Sequence, residues 1–323
     1  MPAWVDPMLA TLTDRRFSDP NWIFEDKLDG ERCLAFKRSA TVRLLSRNKL
    51  TLDNTYPEIV DGLAGGGTHD CIVDGEIVAF DGDRTSFAKL QGRIGIKDPE
   101  EARRTGIEVF YYIFDILHVD GYDVTAVDLI DRKTLLQGAL DFASPLRFLS
   151  HRDRDGEVFY REACQQGLEG LLAKRRDSEY VHGRSPDWLK FKCINEQELV
   201  IGGFTDPAGS RAGFGALLVG YYERGKLRYA GKVGTGFDTA TLLRLHRRLA
   251  AREAKRSPFA DEVREKGAHW VRPELVAQIG FTEWTNDGKL RHPRFLGLRT
   301  DKAAKDVVRE RPQAARSKKG VDR

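Results

Sequence analysis

The sequence predicts an α+β protein built as an antiparallel-sheet domain over residues 1–193, a small β-barrel over residues 194–302 and a basic flexible tail over residues 303–323. Three observations predict this. The first part is dominated by short β-branched and aromatic runs separated by turn residues, with helical stretches between them. Near Cys193 the text changes to glycine-punctuated strands around one helical segment. The charge changes sign at the same place, with 27 Lys+Arg against 33 Asp+Glu up to residue 193 and 26 against 16 beyond it.

Taken in order, residues 22–27 (WIFEDK), 33–38 (CLAFKR) and 41–47 (TVRLLSR) read as strands broken by polar residues. Residues 71–80 (CIVDGEIVAF) are apolar on both sides of their centre, as a buried strand is. Residues 108–117 (EVFYYIFDIL) are rich in aromatic and β-branched side chains. Helices are expected around 134–142 and 157–167. Past residue 198 come strands at 198–204 and 215–237, a helix over 239–255 and further strands over 270–285. Strands, one helix and more strands over about 110 residues suit an OB fold. The end of the chain is basic and poor in large apolar residues, which favours disorder.

Hydrophobic residues make up 41% of the chain and charged residues 32%, as in a globular protein with an ordinary core. The opening lacks a basic head followed by an apolar run, and no apolar stretch approaches the roughly 20 residues of a membrane span. The expected location is the cytoplasm. Cys33, Cys71, Cys164 and Cys193 form no CxxC pair, which argues against zinc and against a disulfide framework and predicts reduced thiols. The basic C-terminal part is the electrostatic footprint that a phosphate backbone would select.

The sharpest chemical signal is Glu25-Asp26-Lys27-Leu28-Asp29-Gly30-Glu31-Arg32, between two strands. A lysine amine attacks phosphorus only when neutral, a state that nearby cations and partial desolvation favour. In isolation, Asp-Gly here is also ordinary turn chemistry. In Trp188-Leu189-Lys190-Phe191-Lys192 the period of two places Trp188, Lys190 and Lys192 on one strand face. Two lysines on one face repel unless an anion lies between them, and a triphosphate is such an anion; as an isolated match the segment is equally an edge strand with solvated lysines. Glu76 interrupts an apolar strand, where a carboxylate is costly unless something binds it. Glu169 precedes the apolar Leu171-Leu172. Phe114 offers a flat apolar face, though an aromatic in such a strand is most often core.

These segments, in order, resemble the motifs of ATP-dependent DNA ligases and mRNA-capping nucleotidyltransferases. Lys27 to Arg32 resembles motif I, Ser46-Arg47-Asn48 motif Ia, Asp74-Gly75-Glu76 motif III and Phe114-Asp115 motif IIIa. Glu169 to Lys174 resembles motif IV, Trp188 to Lys192 motif V, and Arg299-Thr300-Asp301-Lys302 motif VI. The resemblance implies an ATP-grasp-like nucleotidyltransferase (adenylation) domain followed by an OB fold. It implies that Lys27 takes AMP from ATP, with Asp29, Arg32, Arg299 and Lys302 in the chemistry. Glu25, Lys27, Arg32, Arg47, Glu76, Phe114, Lys190 and Lys192 would contact the nucleotide, and Asp29, Glu76 and Glu169 would hold Mg²⁺ or Mn²⁺. AMP would pass to the 5′-phosphate of nicked duplex DNA, and the 3′-hydroxyl would displace it, each an in-line displacement at phosphorus. Arg299 and Lys302 would orient the pyrophosphate, which implies a second domain that moves during the cycle.

Phe87 to Arg93 (FAKLQGR) resembles a segment of DNA ligases absent from capping enzymes, and His292 to Arg299 resembles the entry to motif VI in bacterial end-joining ligases. Only 24 residues precede Glu25, which favours ATP over NAD as the nucleotide. A monomer acting on DNA, with end-joining proteins as possible partners, is the expected arrangement. The competing expectations are RNA ligation or capping, and a non-catalytic DNA-binding protein; retention of Lys27, Lys190 and Lys192 speaks against the latter.

Overall fold

The computed structural model describes residues 1–193, 195–207, 209 and 212–311. They divide into two compact units, residues 1–193 and residues 194–310. Among the described residues no helix is long and apolar enough to cross a membrane.

The first unit contains strands β1 (Met8–Leu12), β2 (Trp22–Asp26), β3 (Glu31–Arg38), β4 (Thr41–Ser46), β5 (Cys71–Val78), β6 (Phe110–Val119), β7 (Leu146–Phe148), β8 (Arg152–Asp153), β9 (Gly170–Arg175) and β10 (Gly183–Lys192). Helices α1 (Pro57–Gly65), α2 (Phe87–Leu90), α3 (Pro99–Arg104), α4 (Leu129–Ala139) and α5 (Gly156–Gln165) lie between them. One sheet has the order β1-β10-β9-β2-β8 and the other β7-β6-β5-β3-β4. Pairing is antiparallel apart from β1 with β10 and β7 with β6, which are parallel, so the expected antiparallel sheet is in fact mixed. β1 and β10 are far apart in sequence and nothing local encodes their direction, whereas β7 returns parallel to β6 through the crossover helix α4.

Three apolar layers hold this unit together. Phe24, Leu171, Leu189 and Phe191 of the first sheet pack on Phe159 and Ala163 of α5. The other face of that sheet, through Met8 and Trp188, meets Leu34, Ile72 and Phe114 of the second sheet. The far face of the second sheet, with Cys33, Val73 and Ile113, is covered by Ile59 and Leu63 of α1 and by Leu136 and Ala139 of α4. Trp188 thus sits in a different layer from its neighbours Leu189 and Phe191, as period-two alternation requires. Phe87 and Leu90 join the last of these layers. Arg93 is 1% exposed and ion-paired with Glu58, so the FAKLQGR segment serves packing here.

The second unit is formed by β11 (Asn195–Thr205), β12 (Leu217–Glu223), β13 (Lys226–Val233), β14 (Ala268–Phe281) and β15 (Arg294–Arg299), with helix α6 (Thr239–Ala250). The sheet runs β13-β12-β11-β14, with β15 also on β14. The Asp238 carboxylate caps α6 by accepting a hydrogen bond from Thr241 N at 2.6 Å. Leu242, Leu245 and Leu249 face the core at helical spacing. The helix stops at Ala250, short of the expected residue 255, because Glu253–Ala254 pairs with β14 instead.

Two further expectations are corrected. Residues 303–310 are not a free tail: Val307 is fully buried in the second core, its carbonyl accepts from Tyr222 N at 2.7 Å, and Val308 bridges to Tyr222. A sparse apolar composition hid the one valine that anchors the segment. The rest of the expected tail, residues 312–323, lies outside the described residues. Cys164 and Cys193 are not reduced thiols but a disulfide, whereas Cys33 and Cys71 are free and buried. The cysteines are 29 positions apart, but Cys193 N donates to Glu169 O at 3.0 Å, which folds the end of β10 back against the residues after α5.

Candidate active site

The segment Lys27–Gly30 leaves β2 in the first sheet and enters β3 in the second. It is therefore a crossing between sheets, not a hairpin turn, and it distributes its polar residues onto both. Lys27 remains in register with the first sheet: its N–H donates to Gly170 O at 2.9 Å. Lys192 of β10 is the partner of Gly170 on the other side. Lys27, Glu169-Gly170 and Lys192 thus occupy one end of three adjacent strands, with Lys190 two residues further along the face. Lys27 Nζ is ion-paired with Glu169, and its side chain is 21% exposed, so the amine is held at the surface of the sheet and not consumed in packing. A carboxylate in contact favours the ammonium form, opposite to the two lysines nearby. Gly170 has φ +147°, and a Cβ there would lie 1.9 Å from Phe191 O.

On the second sheet Arg32, Glu76 and Tyr112 are direct partners across β3, β5 and β6, so their side chains share one face, and all three are partly exposed. Gly30 lets the crossing lie close over β5, since a Cβ there would meet Ile77 O at 2.2 Å. Arg32 donates to both oxygens of Asp74 at 2.5 Å and to Met8 O at 3.2 Å, tying the two sheets together. Burial alone would weaken its charge, but Asp74 outweighs this and holds the guanidinium firmly protonated. Asp74 also accepts from Tyr180 Oη at 2.5 Å.

Other expected site residues are placed differently. Asp29 turns its carboxylate to Phe87 N at 3.1 Å, which orients α2 against the motif I crossing. Glu25 is fully buried between Lys133 at 2.5 Å and Lys174 at 2.6 Å, so its carboxylate points into the fold and not toward a nucleotide. Burial would raise its pKa, yet the two lysines outweigh this and lower it. The Lys174 amine is pushed down to about 8, first by burial, against the pull of Glu25. Phe114 is 3% exposed, with Arg32 at 4.6 Å and Lys174 at 4.2 Å over its ring, so an adenine stacked there has to displace one of them. Arg47, half-buried in the turn after β4, has no ion-pair partner among the described residues. Asp29, Glu76 and Glu169 do not converge: among the described residues no group of three metal-ligating side chains exists. The three carboxylates expected to share the metal are thus not gathered by the protein alone. The donors fit a cation of the Mg²⁺ type, which takes one or two carboxylates and completes its shell with substrate phosphates.

In the second unit, Arg299 pairs with Asp301 at 2.7 Å and Lys302 with Glu198 at 2.6 Å. Both cations are thereby held in fixed positions on the barrel.

Residues 7–192 match the family described as ATP dependent DNA ligase domain, and residues 210–302 its C terminal region. The chain belongs to the ATP-dependent DNA ligase family. The chain is 39% identical over 321 residues to the multifunctional non-homologous end joining protein LigD of Pseudomonas aeruginosa, covering 97% of the chain and 37% of that protein. It is 37% identical over 311 residues to the LigD DNA repair protein of Mycobacterium tuberculosis, covering 94% of the chain and 40% of that protein. The chain thus spans about two fifths of the length of these curated relatives. A solved structure of mycobacterial DNA ligase D complexed with ATP and MES superposes with a TM-score of 0.68 at 34% identity, over 95% of this chain and 98% of that one. The architecture of the family, a nucleotidyltransferase domain and a C-terminal OB fold, is the architecture of this chain.

The sequence did not reveal the buried polar framework of the first unit: Glu25 with Lys133 and Lys174, Asp115 with Arg132 at 2.7 Å, and Asp74 with Tyr180. Lys133 and Arg132 lie in α4, where two adjacent charges in a helix read as a solvated face. Tyr112 was missed too, and only its register with Glu76 marks it.

Proposed function

We propose that this chain uses ATP to form a covalent AMP adduct on Lys27 and then seals 3′-hydroxyl/5′-phosphate breaks in duplex DNA. The observation that carries the proposal is the meeting of Lys27, Glu169 and Lys192 at one end of three adjacent strands. An amine tethered at a sheet end, with two lysines on the same face two strands away, is suited to attack a bound triphosphate. The Lys27 lone pair attacks the α-phosphorus, the bond to pyrophosphate breaks, and the amine proton leaves. Glu169 must release the amine before attack, and Lys190 and Lys192 neutralise phosphate charge.

In this reading Arg32, Arg47 and Glu76 hold the sugar and phosphate, Phe114 is the aromatic surface for adenine, and Glu25 and Asp29 act by positioning their neighbours. Arg299 and Lys302 of the OB fold address the pyrophosphate. Mg²⁺ or Mn²⁺, carried with the phosphates beside Glu169 or Glu76, would supply further charge neutralisation. AMP then moves to the 5′-phosphate of a nick, and the 3′-hydroxyl displaces it. The likeness to LigD proteins supports a role in DNA repair, and in this reading a monomeric chain works at nicked duplex DNA in the bacterial cytoplasm, with end-joining proteins as partners.

The test is transfer of label from α-labelled ATP to protein. Wild type is expected to become labelled with ATP and not with GTP, and Lys27→Ala to lose the label completely while its melting curve is unchanged. Labelling of Lys27→Ala, or a preference for GTP, overturns the proposal.

A further inference from the structure

The last residues of β10, which carry Lys190 and Lys192, are supported differently on their two sides. On the β9 side Lys192 pairs with Gly170, and Cys193 N donates to Glu169 O at 3.0 Å. On the other side the parallel partner β1 stops at Leu12, opposite Lys190. Thr13 N carries the ladder one step further, donating to Lys190 O at 3.4 Å. A parallel ladder places its next donor two residues on, but Arg15 N turns instead to Thr13 Oγ1 at 3.2 Å. Side chains take over where the main chain leaves. Tyr160 Oη of α5 donates to Lys192 O at 3.0 Å. Arg16 Nη1 donates to Thr13 O at 2.7 Å, and Arg16 Nη2 lies 3.5 Å from both Lys192 O and Tyr160 Oη. The same guanidinium stands over the Tyr160 and Phe191 rings, 4.7 and 5.3 Å from their centres.

We propose that Tyr160, backed by Arg16, is a positioning residue for AMP transfer: acting through the backbone from behind the sheet, the pair fixes the Lys192 peptide and so the Lys192 amine on the opposite face. The assignment rests on the ligase reading above. Phe191, against which both side chains rest, points into the α5 layer, and alternation turns Lys190 and Lys192 the other way. Tyr160 and Arg16 therefore support a cation and do not touch the nucleotide. Packing accounts for the Tyr160 ring, which meets Phe191 edge-on at 6.2 Å, but a phenylalanine would pack as well. The hydroxyl is accounted for by Lys192 O. A strand end whose carbonyl has no donor opens locally, and a lysine on a moving peptide holds phosphate less well because it has to be ordered on binding.

Tyr160→Phe keeps the ring and removes only the donor. In single-turnover AMP attachment by the full chain, the half-saturating ATP concentration is expected to rise about fivefold, the worth of one hydrogen bond, with the maximal rate near wild type. Arg16→Lys keeps the charge but lacks the fork that reaches Thr13 O and Lys192 O together, and it should show a similar loss. Wild-type behaviour of Arg16→Lys would mean that charge alone matters, against the proposal. A double-mutant cycle with Lys192→Met separates positioning from general packing. With that amine gone, Tyr160→Phe should cost nothing further; the same fold loss in both backgrounds overturns the proposal. Amide exchange over residues 190–193 needs no chemistry. Protection there should fall by a similar factor in Tyr160→Phe and not in Arg161→Gln, which changes an exposed position of the same helix; unchanged protection in Tyr160→Phe also overturns the proposal. A wild-type chain that never forms the AMP adduct would defeat the ligase reading, while exchange would still report whether Tyr160 holds the strand end.

Discussion

At Gly170 the absence of a side chain lets β9, which lies beside Lys27, approach the strand that carries Lys190 and Lys192. A methyl group there would sit 1.9 Å from the Phe191 carbonyl, in a backbone conformation that L-residues avoid. Gly170→Ala is expected to cost about 3 kcal/mol or more, as a strained overpacked site does, and to slow AMP attachment by displacing Lys27 and Lys192. Denaturant titration and the labelling assay check it, and a variant with wild-type stability would show that the strands can part without loss. Lys174 gives a pH signature. Its folded pKa of about 8 lies below the value of about 10.4 expected in an unfolded chain. Between these values the unfolded chain binds more protons, so stability from this group rises with pH. The stability difference between wild type and Lys174→Met should therefore grow in favour of wild type from pH 8 to about pH 10; a flat or falling difference in urea titrations would contradict the assignment. Neither property is legible from the residue alone. Gly170 looks like the ordinary start of a strand, and a lysine after Leu-Leu-Ala looks solvated until Glu25 and Phe114 are found around it.

Strands were easier to recognise than their partners. β2 to β6 follow from apolar runs and turn residues, but the parallel pairing of β1 with β10 joins residues more than 170 positions apart. The Cys164–Cys193 disulfide has the same origin, since it closes a contact between α5 and the end of β10 that no spacing rule announces. It ties Lys192, one residue earlier, to the helix that backs the first sheet. Cys193→Ser is expected to lower stability by about 2–4 kcal/mol, the range for a loop of this order, and the loss should vanish when wild type is measured with reductant. Alkylation of the denatured, unreduced protein should label Cys33 and Cys71 alone; four labelled cysteines would show the pair is not bonded.

Across the whole molecule the division after Cys193 coincides with the change in composition and in charge, whereas the far boundary does not. The second unit continues to residue 310 because Val307 completes its core and the Gln197 side chain both donates to Val308 O and accepts from Glu310 N. A chain ending at residue 302 should thus melt its second unit several degrees lower, as expected for a loss of about 1–2 kcal/mol from one buried valine and its hydrogen bonds. The first unit should be unaffected. Calorimetry that resolves the two transitions checks this, and an unchanged second transition would mean the segment adds nothing.

The ordered motifs, the family and the nucleotide class were determined by the sequence itself, because phosphoryl chemistry demands particular groups at short spacings that local order preserves. Which carboxylates face a cleft and which vanish into ion pairs was decided only in three dimensions. Glu25, Asp29 and Glu169 look alike along the chain; one is enclosed by two lysines, one orients a helix, and one is ion-paired with Lys27. The reason is that a side chain's charge state and reach depend on burial and on partners brought from distant strands, and pairing across sheets is a property of the folded chain as a whole.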